Sequence, residues 1–143
     1  MVYQKPCNSL FMHNRRVVVT GTGIVSAIGK NTEEFWKSII SCNSGIGPYS
    51  APFADQIRFK NGADVKHFDA SGIIEKDDLD LMDRFTQLAV VAAKEAVKNA
   101  GIVFNDENAY NTAVICGTSI GGVQTQEQSY IDLYREKIGR AHV

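Results

Sequence analysis

Two glycine-bearing segments carry the residue types that could take part in chemistry. The first is residues 17–23 (VVVTGTG), and the second is residues 114–122 (VICGTSIGG). Each begins with short β-branched side chains and then breaks into Gly, Ser and Thr. Because Gly has no Cβ, a strand that ends this way lets its backbone come close to a ligand or to another chain.

The first segment suggests a dinucleotide site, since glycines at a strand exit let a pyrophosphate meet a helix N-terminus. The G-x-G-x-x-G pattern that begins at Gly21 and Gly23 requires a third glycine where this chain has Ser26. No acidic residue lies near position 43 to bind a ribose. A nucleotide-binding Rossmann-type domain is therefore a weakly supported alternative.

The second segment offers two candidate nucleophiles, Cys116 and Ser119. A reactive thiolate needs a neighbouring base or cation, and no Lys, Arg or His lies nearby in the sequence. A buried cysteine that packs as a small hydrophobe is the better interpretation of Cys116. The letters GTSIG match G-x-S-x-G around Ser119, but that motif needs a later acid and then a histidine, and Asp132 is followed only by His142.

Composition excludes several other functions. The chain has 143 residues, a formal net charge of −1 and 44% hydrophobic residues, so neither nucleic acid nor an anionic membrane is an expected partner. Three cysteines without CxxC spacing argue against a disulfide framework and predict a reduced, cytoplasmic setting. His13 and His67 are isolated, so neither a metal site nor a cofactor is predicted.

Periodicity predicts the main elements. Residues 15–20 and 111–116 are predicted as strands, the first of them buried on both faces, and residues 57–60 as a short edge strand. Asn31, three residues before Glu34, predicts a helix start, with the end near Asn43. A polar helix is predicted over residues 122–135.

Residues 79–100 show the clearest helical pattern. One apolar stripe runs along it, and residues 88–93 are apolar almost all round, which predicts burial on more than one side. Gly101 is predicted to end the helix. The acidic residues within 75–80 are predicted to form a solvated helix start, and Asp83 and Arg84 to lie on the surface of the helix. The stripe consists of Met82, Phe85, Ala89, Ala92, Ala96 and Val97.

The order of elements predicts an α/β fold with an at least partly parallel sheet. Two strands cannot cover such a helix and both sheet faces, so the chain is expected to be part of a larger core. We divide it into residues 1–14 (a disordered arm or upstream extension), 15–136 (a partial domain) and 137–143. Residues 137–143 are interpreted as read-through, since the last six correspond to ATC-GGA-AGA-GCA-CAC-GTC, the start of a common sequencing adapter.

Four stretches, in this order and spacing, resemble the N-terminal part of a β-ketoacyl-[acyl-carrier-protein] synthase. They are residues 15–29, the helix over 33–47, residues 82–87 (MDRFTQ) with their alanine-rich continuation, and the loop 117–122 (GTSIGG). Residues 66–69 (KHFD) also resemble a segment that the family places after its first helix. The resemblance implies a thiolase-like fold of α-β-α-β-α layers, incomplete here.

The resemblance also implies a reaction, a decarboxylative Claisen condensation in fatty acid or polyketide synthesis. A cysteine thiolate takes an acyl group from acyl carrier protein, and two histidines polarise the malonyl thioester. None of that Cys-His-His set can be assigned to this chain, and Cys116 does not match its cysteine. Ile120 falls where the family's glycine loop contributes to the acyl pocket, although ordinary core packing explains it equally well. The resemblance implies a homodimer, and it also allows a non-catalytic chain-length partner of a polyketide synthase.

Overall fold

The computed structural model describes residues 16–49 and 54–136, and the predictions for residues 1–14 and 137–143 lie outside those ranges. The described chain is mainly helical. Its only regular sheet has two antiparallel strands, with Gly47 opposite Gly62 and Pro48 opposite Asn61. In order, the elements are α1 (Thr32–Ile40), β1 (Gly47–Pro48), a 3-10 turn (Ala54–Gln56), β2 (Asn61–Gly62), α2 (Lys76–Leu81), α3 (Arg84–Ala100), α4 (Asp106–Ala109) and α5 (Val123–Glu136).

The two predicted main strands are wrong for the described residues. Residues 16–20 and 112–116 have irregular backbone, and their apolar side chains are exposed, Val17 to 92% and Ile115 to 93%. A strand is stabilised by a neighbouring strand and by packing on its faces, and the described residues supply neither to these segments. The observed fold, helical with little strand, is consistent with part of a thiolase-like domain.

The predicted edge strand over residues 57–60 is also displaced. The hairpin forms immediately after it, at Asn61–Gly62. Pairing extends by one hydrogen bond at the strand end, where the Tyr49 N–H donates to the Lys60 carbonyl over 2.7 Å.

Helix α1 begins where its capping residue predicts. The Asn31 side chain accepts a hydrogen bond of 2.9 Å from the Glu34 N–H. The Glu34 carboxylate reaches back one residue further than in a standard capping box and accepts from the Lys30 N–H at 2.9 Å. The helix ends at Ile40, three residues before the predicted end, because Cys42 takes a positive φ of 53°.

The predicted helix over residues 79–100 is in fact two helices. α2 ends at Leu81 and α3 begins at Arg84, with Asp83 between them in an extended conformation (φ −61°, ψ 153°). The Gln87 amide nitrogen donates to the Met82 carbonyl over 2.9 Å, and so satisfies a backbone group that the end of α2 leaves free. The acidic helix start is confirmed, since α2 carries its aspartates exposed in its first turn.

A small core lies where α3 meets the loop before α2. Ala70, Ile74 and Val91 are buried there. Ala89 and Ala93 of α3 are exposed, so the prediction that residues 88–93 are buried on more than one side holds only in part for the described residues. Gly101 ends α3 with φ 66°, as predicted. The partly buried residues around the core are Val25, Phe68, Leu79, Met82 and Val90.

The C-terminal helices follow the local sequence. α5 confirms the polar helix predicted over residues 122–135. The short α4 was not predicted, although Asn105 and Asn108 cap it reciprocally through hydrogen bonds of 2.9 and 2.8 Å. None of the helices within residues 16–49 and 54–136 is long and apolar enough to cross a membrane.

Candidate functional site

The first glycine segment packs directly on the backbone of α3. A Cβ added to Gly21 would lie 2.6 Å from the backbone nitrogen of Ala100, and one added to Gly23 would lie 2.7 Å from that of Ala96. Both separations are far below an ordinary contact, so neither position has room for a side chain. The alanines of the predicted stripe give the turn its close approach to the helix.

A carboxylate on α3 holds this turn and the start of α1 together. Glu95 Oε2 accepts from the Ile24 N–H at 2.9 Å, and Oε1 accepts from the Thr32 N–H at 2.7 Å. Asn99 on the same helix donates to the Thr22 carbonyl over 3.2 Å. The turn is therefore connected to α3 by close packing and by two hydrogen bonds, and the start of α1 is connected to the same helix by a third.

These bonds also affect the ionisation of Glu95. Desolvation raises the pKa of its carboxyl, but the N–H groups of Thr32 and Ile24 and the Thr32 side chain lower it by more. The pKa of Glu95 therefore lies below its usual value, and the charged form is the one that the bonds stabilise.

This packing counts against the nucleotide-binding alternative. In a dinucleotide site, the glycines leave space for a pyrophosphate at a helix N-terminus. Here the space beside Gly21 and Gly23 is filled by the C-terminal half of α3. The close partner of the first glycine segment is the chain's own helix.

The second glycine segment packs on the opposite end of α3. A Cβ on Gly121 would lie 2.6 Å from the Phe85 ring, and one on Gly122 would lie 2.6 Å from Asp83 Oδ2. Gly122 has φ 74°, a conformation that side chains other than glycine rarely adopt. The Thr125 hydroxyl in the first turn of α5 donates to Asp83 Oδ1.

The candidate residues of the second segment are all on the surface of the described chain. Ile120, predicted to line an acyl pocket, is 73% exposed. Ser119 is exposed as well. The prediction that Cys116 is buried is wrong, because its thiol lies in the irregular segment whose expected strand has no neighbours in the described ranges.

Beside this loop lies an open groove of about 300 Å³ between the starts of α3 and α5. The apolar side chains of Phe85, Leu88 and Val123 line part of it, and Asp83 and Thr125 lie at the same junction.

The prediction that Asp83 and Arg84 lie on a helix surface holds only in part. Asp83 precedes the first residue of α3 and is partly buried, whereas Arg84 is exposed.

A second cleft, which the sequence reasoning missed, separates the start of α1 from α3 and has a volume of about 470 Å³. The loop residues His67, Phe68 and Asp69 form one wall. Arg84 fixes this wall, since its guanidinium lies 5.5 Å from the centre of the Phe68 ring and donates to the Val65 carbonyl over 2.6 Å. Apart from the family resemblance of residues 66–69, no pattern in the sequence indicated the cleft.

The carboxylates along this cleft are engaged within the protein. Glu34 and Glu95 accept backbone N–H groups, as described above, and Asp69 accepts the Ser71 N–H at 2.9 Å. Hydrogen bonds from the Ser71 side chain and backbone, helped by the charge of Lys30, lower the pKa of Asp69. In the described ranges, no group of three His, Cys, Asp or Glu side chains is placed to hold a metal ion.

Comparison with known proteins assigns the chain to a family. Residues 14–142 match the profile described as beta-ketoacyl synthase, N-terminal domain. Because this match covers most of the sequence, the chain belongs to the β-ketoacyl synthase family. The resemblance inferred from the two glycine segments is therefore confirmed.

Three similar proteins carry the name 3-oxoacyl-[acyl-carrier-protein] synthase 2. The protein from Synechocystis is 35% identical over 116 residues, which is 81% of this chain and 28% of the relative. Those from Staphylococcus aureus (strain N315) and Coxiella burnetii are 36% and 31% identical, over 84% and 83% of this chain and 29% of each relative. The chain thus spans less than a third of the length of these relatives.

Proposed function

We propose that this chain is the N-terminal part of a 3-oxoacyl-[acyl-carrier-protein] synthase of fatty acid biosynthesis. The whole enzyme transfers an acyl group from its own cysteine thioester to the two-carbon unit that stays attached to acyl carrier protein after malonyl-acyl carrier protein loses CO₂, and this transfer frees the cysteine thiolate. The family match over residues 14–142 carries this proposal. The shared name of the relatives from three bacteria supports the same reaction.

In this proposal the chain is a scaffold for chemistry performed elsewhere. The nucleophilic thiolate and the two histidines of the reaction belong to the part of the enzyme that follows. Helix α3 fixes both glycine segments, one at each end. The acyl chain, acyl carrier protein and a second copy of the enzyme in a cytoplasmic homodimer are the proposed partners.

We also propose that Ile120 lines the acyl pocket of the complete enzyme. Its side chain is apolar, it is exposed in the described chain, and it precedes the glycines that pack on α3. The exposed runs at residues 17–19 and 114–115 would pair with further strands in the layered thiolase-like fold. Their side chains are of the β-branched type that strands favour.

An elongation assay tests the function. The 143-residue chain is expected to give no 3-oxoacyl product from acyl- and malonyl-carrier protein, whereas an enzyme extended to the length of the relatives is expected to give it. Product from the short chain would contradict the proposed scaffold role. Absence of product from the folded long enzyme, or a gene without a downstream cysteine, would favour the non-catalytic chain-length partner.

A substitution tests the acyl pocket. In the long enzyme, Ile120→Phe is expected to lower kcat/KM for long acyl groups more than for short ones, because the larger ring takes up pocket volume. Ile102→Phe, a surface substitution just beyond α3, is the matched control. Equal effects of the two substitutions on kcat/KM would show that Ile120 does not line the acyl pocket.

A further inference from the structure

The carboxylate of Asp83 contacts two residues in the segment that follows Ile120. Asp83 precedes α3, and its Oδ1 accepts a hydrogen bond from the hydroxyl of Thr125 in the first turn of α5. Its Oδ2 lies against Gly122, where an added Cβ would come within 2.6 Å of it. Both oxygens of one side chain therefore contact the segment that immediately follows Ile120.

The backbone of that segment is defined by further contacts at the same place. Gly122 is held at φ 74°, and its carbonyl accepts the Gln126 N–H at 3.0 Å, which starts α5. The preceding Gly121 lies against the Phe85 ring. Since the two residues after Ile120 are both packed on the start of α3, the direction of Ile120 is set by that helix.

We propose that Asp83 is a positioning residue that, through Thr125 and Gly122, sets the acyl-chain length accepted by the enzyme. The inference rests on the proposed function, and specifically on Ile120 lining the acyl pocket. Asp83 contacts neither the acyl chain nor the reacting atoms in this proposal. It acts by holding the Ile120 loop in one position, so that the depth of the pocket is defined.

The hydrogen bond is suited to such a role because its acceptor is charged. Hydrogen bonds to ionised groups are stronger than neutral ones, and their loss leaves the partner groups free to move. A loop released from Asp83 would let Ile120 take several positions. The enzyme would then discriminate less between short and long acyl groups, while the thiolate, which other parts of the enzyme hold, would keep its own geometry.

The test uses the long enzyme with Thr125→Val, which keeps the side-chain shape and removes the hydroxyl, and Thr125→Ser, which keeps the hydroxyl. The measurement is the ratio of kcat/KM for a long and a short saturated acyl-carrier substrate. Thr125→Val is expected to change this ratio by at least about fivefold through KM rather than kcat, and Thr125→Ser is expected to restore the wild-type ratio. A general loss of folding would lower kcat for both substrates and leave the ratio unchanged.

Amide hydrogen exchange gives a readout that does not depend on activity. Exchange at Gln126, whose N–H donates to Gly122, is expected to rise about tenfold in Thr125→Val and to stay near wild type in Thr125→Ser. Asp83→Asn keeps an acceptor oxygen but loses the charge, and its exchange rate at Gln126 is expected to lie between those of the two Thr125 variants. It serves as the test variant if Thr125→Val does not fold.

The outcomes separate this inference from the proposed function. If Ile120→Phe changes the substrate ratio but Thr125→Val does not, the positioning role of Asp83 is wrong and the synthase function stands. If Thr125→Val leaves the exchange at Gln126 at the wild-type rate, the positioning role is wrong whether or not the enzyme is active. If the folded wild-type enzyme forms no product, the proposed function fails, and the chain-length role of Asp83 fails with it.

Discussion

Replacing Gly23 by alanine tests whether the first glycine segment exists to pack on α3. The added Cβ would lie 2.7 Å from the Ala96 nitrogen and 3.0 Å from the Ala92 carbonyl carbon. Both are backbone atoms inside a helix, and they cannot yield as the end of a flexible side chain can. The turn would therefore have to move away from α3, and the Ile24 N–H would leave Glu95.

The size of the effect follows from the cost of overpacking. Inserting a methyl group into a filled site costs about 1–3 kcal/mol. Since about 1.4 kcal/mol corresponds to a factor of ten, the turn should open about 5 to 150 times more often. Because the opening is local, the effect should appear in the amides that depend on the turn rather than throughout the chain.

Hydrogen exchange on the 143-residue chain measures this opening at Ile24 and Thr32, whose N–H groups donate to Glu95. Gly117→Ala and Gly72→Ala are the controls, because an added Cβ meets nothing within 4 Å at either position. They are expected to leave exchange at Ile24 and Thr32 unchanged. Wild-type exchange in Gly23→Ala, or an equal rise in the controls, would refute the packing argument.

Three further predictions follow from individual groups. Since folding lowers the pKa of Glu95, its contribution to the free energy of unfolding is present above its usual value of 4.5 and is lost as pH falls through the folded-state pKa. Glu95→Gln should therefore reduce the pH dependence with which the Ile24 amide is protected from hydrogen exchange. An unchanged pH dependence would contradict this. Asn31→Ala should destabilise α1 by about 1 kcal/mol in a helicity measurement by circular dichroism, whereas Asn31→Asp, which keeps the acceptor, should not; equal losses would show that the cap is not the cause. Val18→Lys together with Ile115→Lys should reduce association of the 143-residue chain in light scattering, since both apolar side chains are exposed, and unchanged scattering would show that other surfaces drive association.

The elements that the sequence predicts correctly are those set by neighbouring residues. The Asn31 cap, the Gly101 termination and the polar helix before residue 136 all depend on groups within a turn of each other. The family resemblance succeeded for a related reason. Its motifs are short, and their order along the chain could be read without knowing what they contact.

The failures concern contacts between distant residues. The break between α2 and α3 is accompanied by a hydrogen bond that the hydroxyl of Thr125 donates to Asp83, 42 residues earlier in the chain, and the pattern of apolar residues gives no sign of it. The hydrogen bond that the Ile24 N–H donates to Glu95 spans 71 residues and could not be read from the sequence either. The predicted strands fail because a strand depends on neighbours that the described residues do not provide.

The residue types of the two glycine segments fit their contacts with helix α3. Gly21 and Gly23 lie against the alanines in the C-terminal half of α3. Gly121 and Gly122 lie against Phe85 and Asp83 at the start of the same helix. Contact with the helix backbone alone therefore requires glycine at positions 21 and 23, whereas Gly122 also takes a positive φ of 74° that other residues rarely adopt. Because each pair of glycines follows an exposed apolar run, the same helix also fixes the position of the chain just after those runs. Strands added by the rest of a complete synthase would then join a sheet whose attachment points this chain has already set.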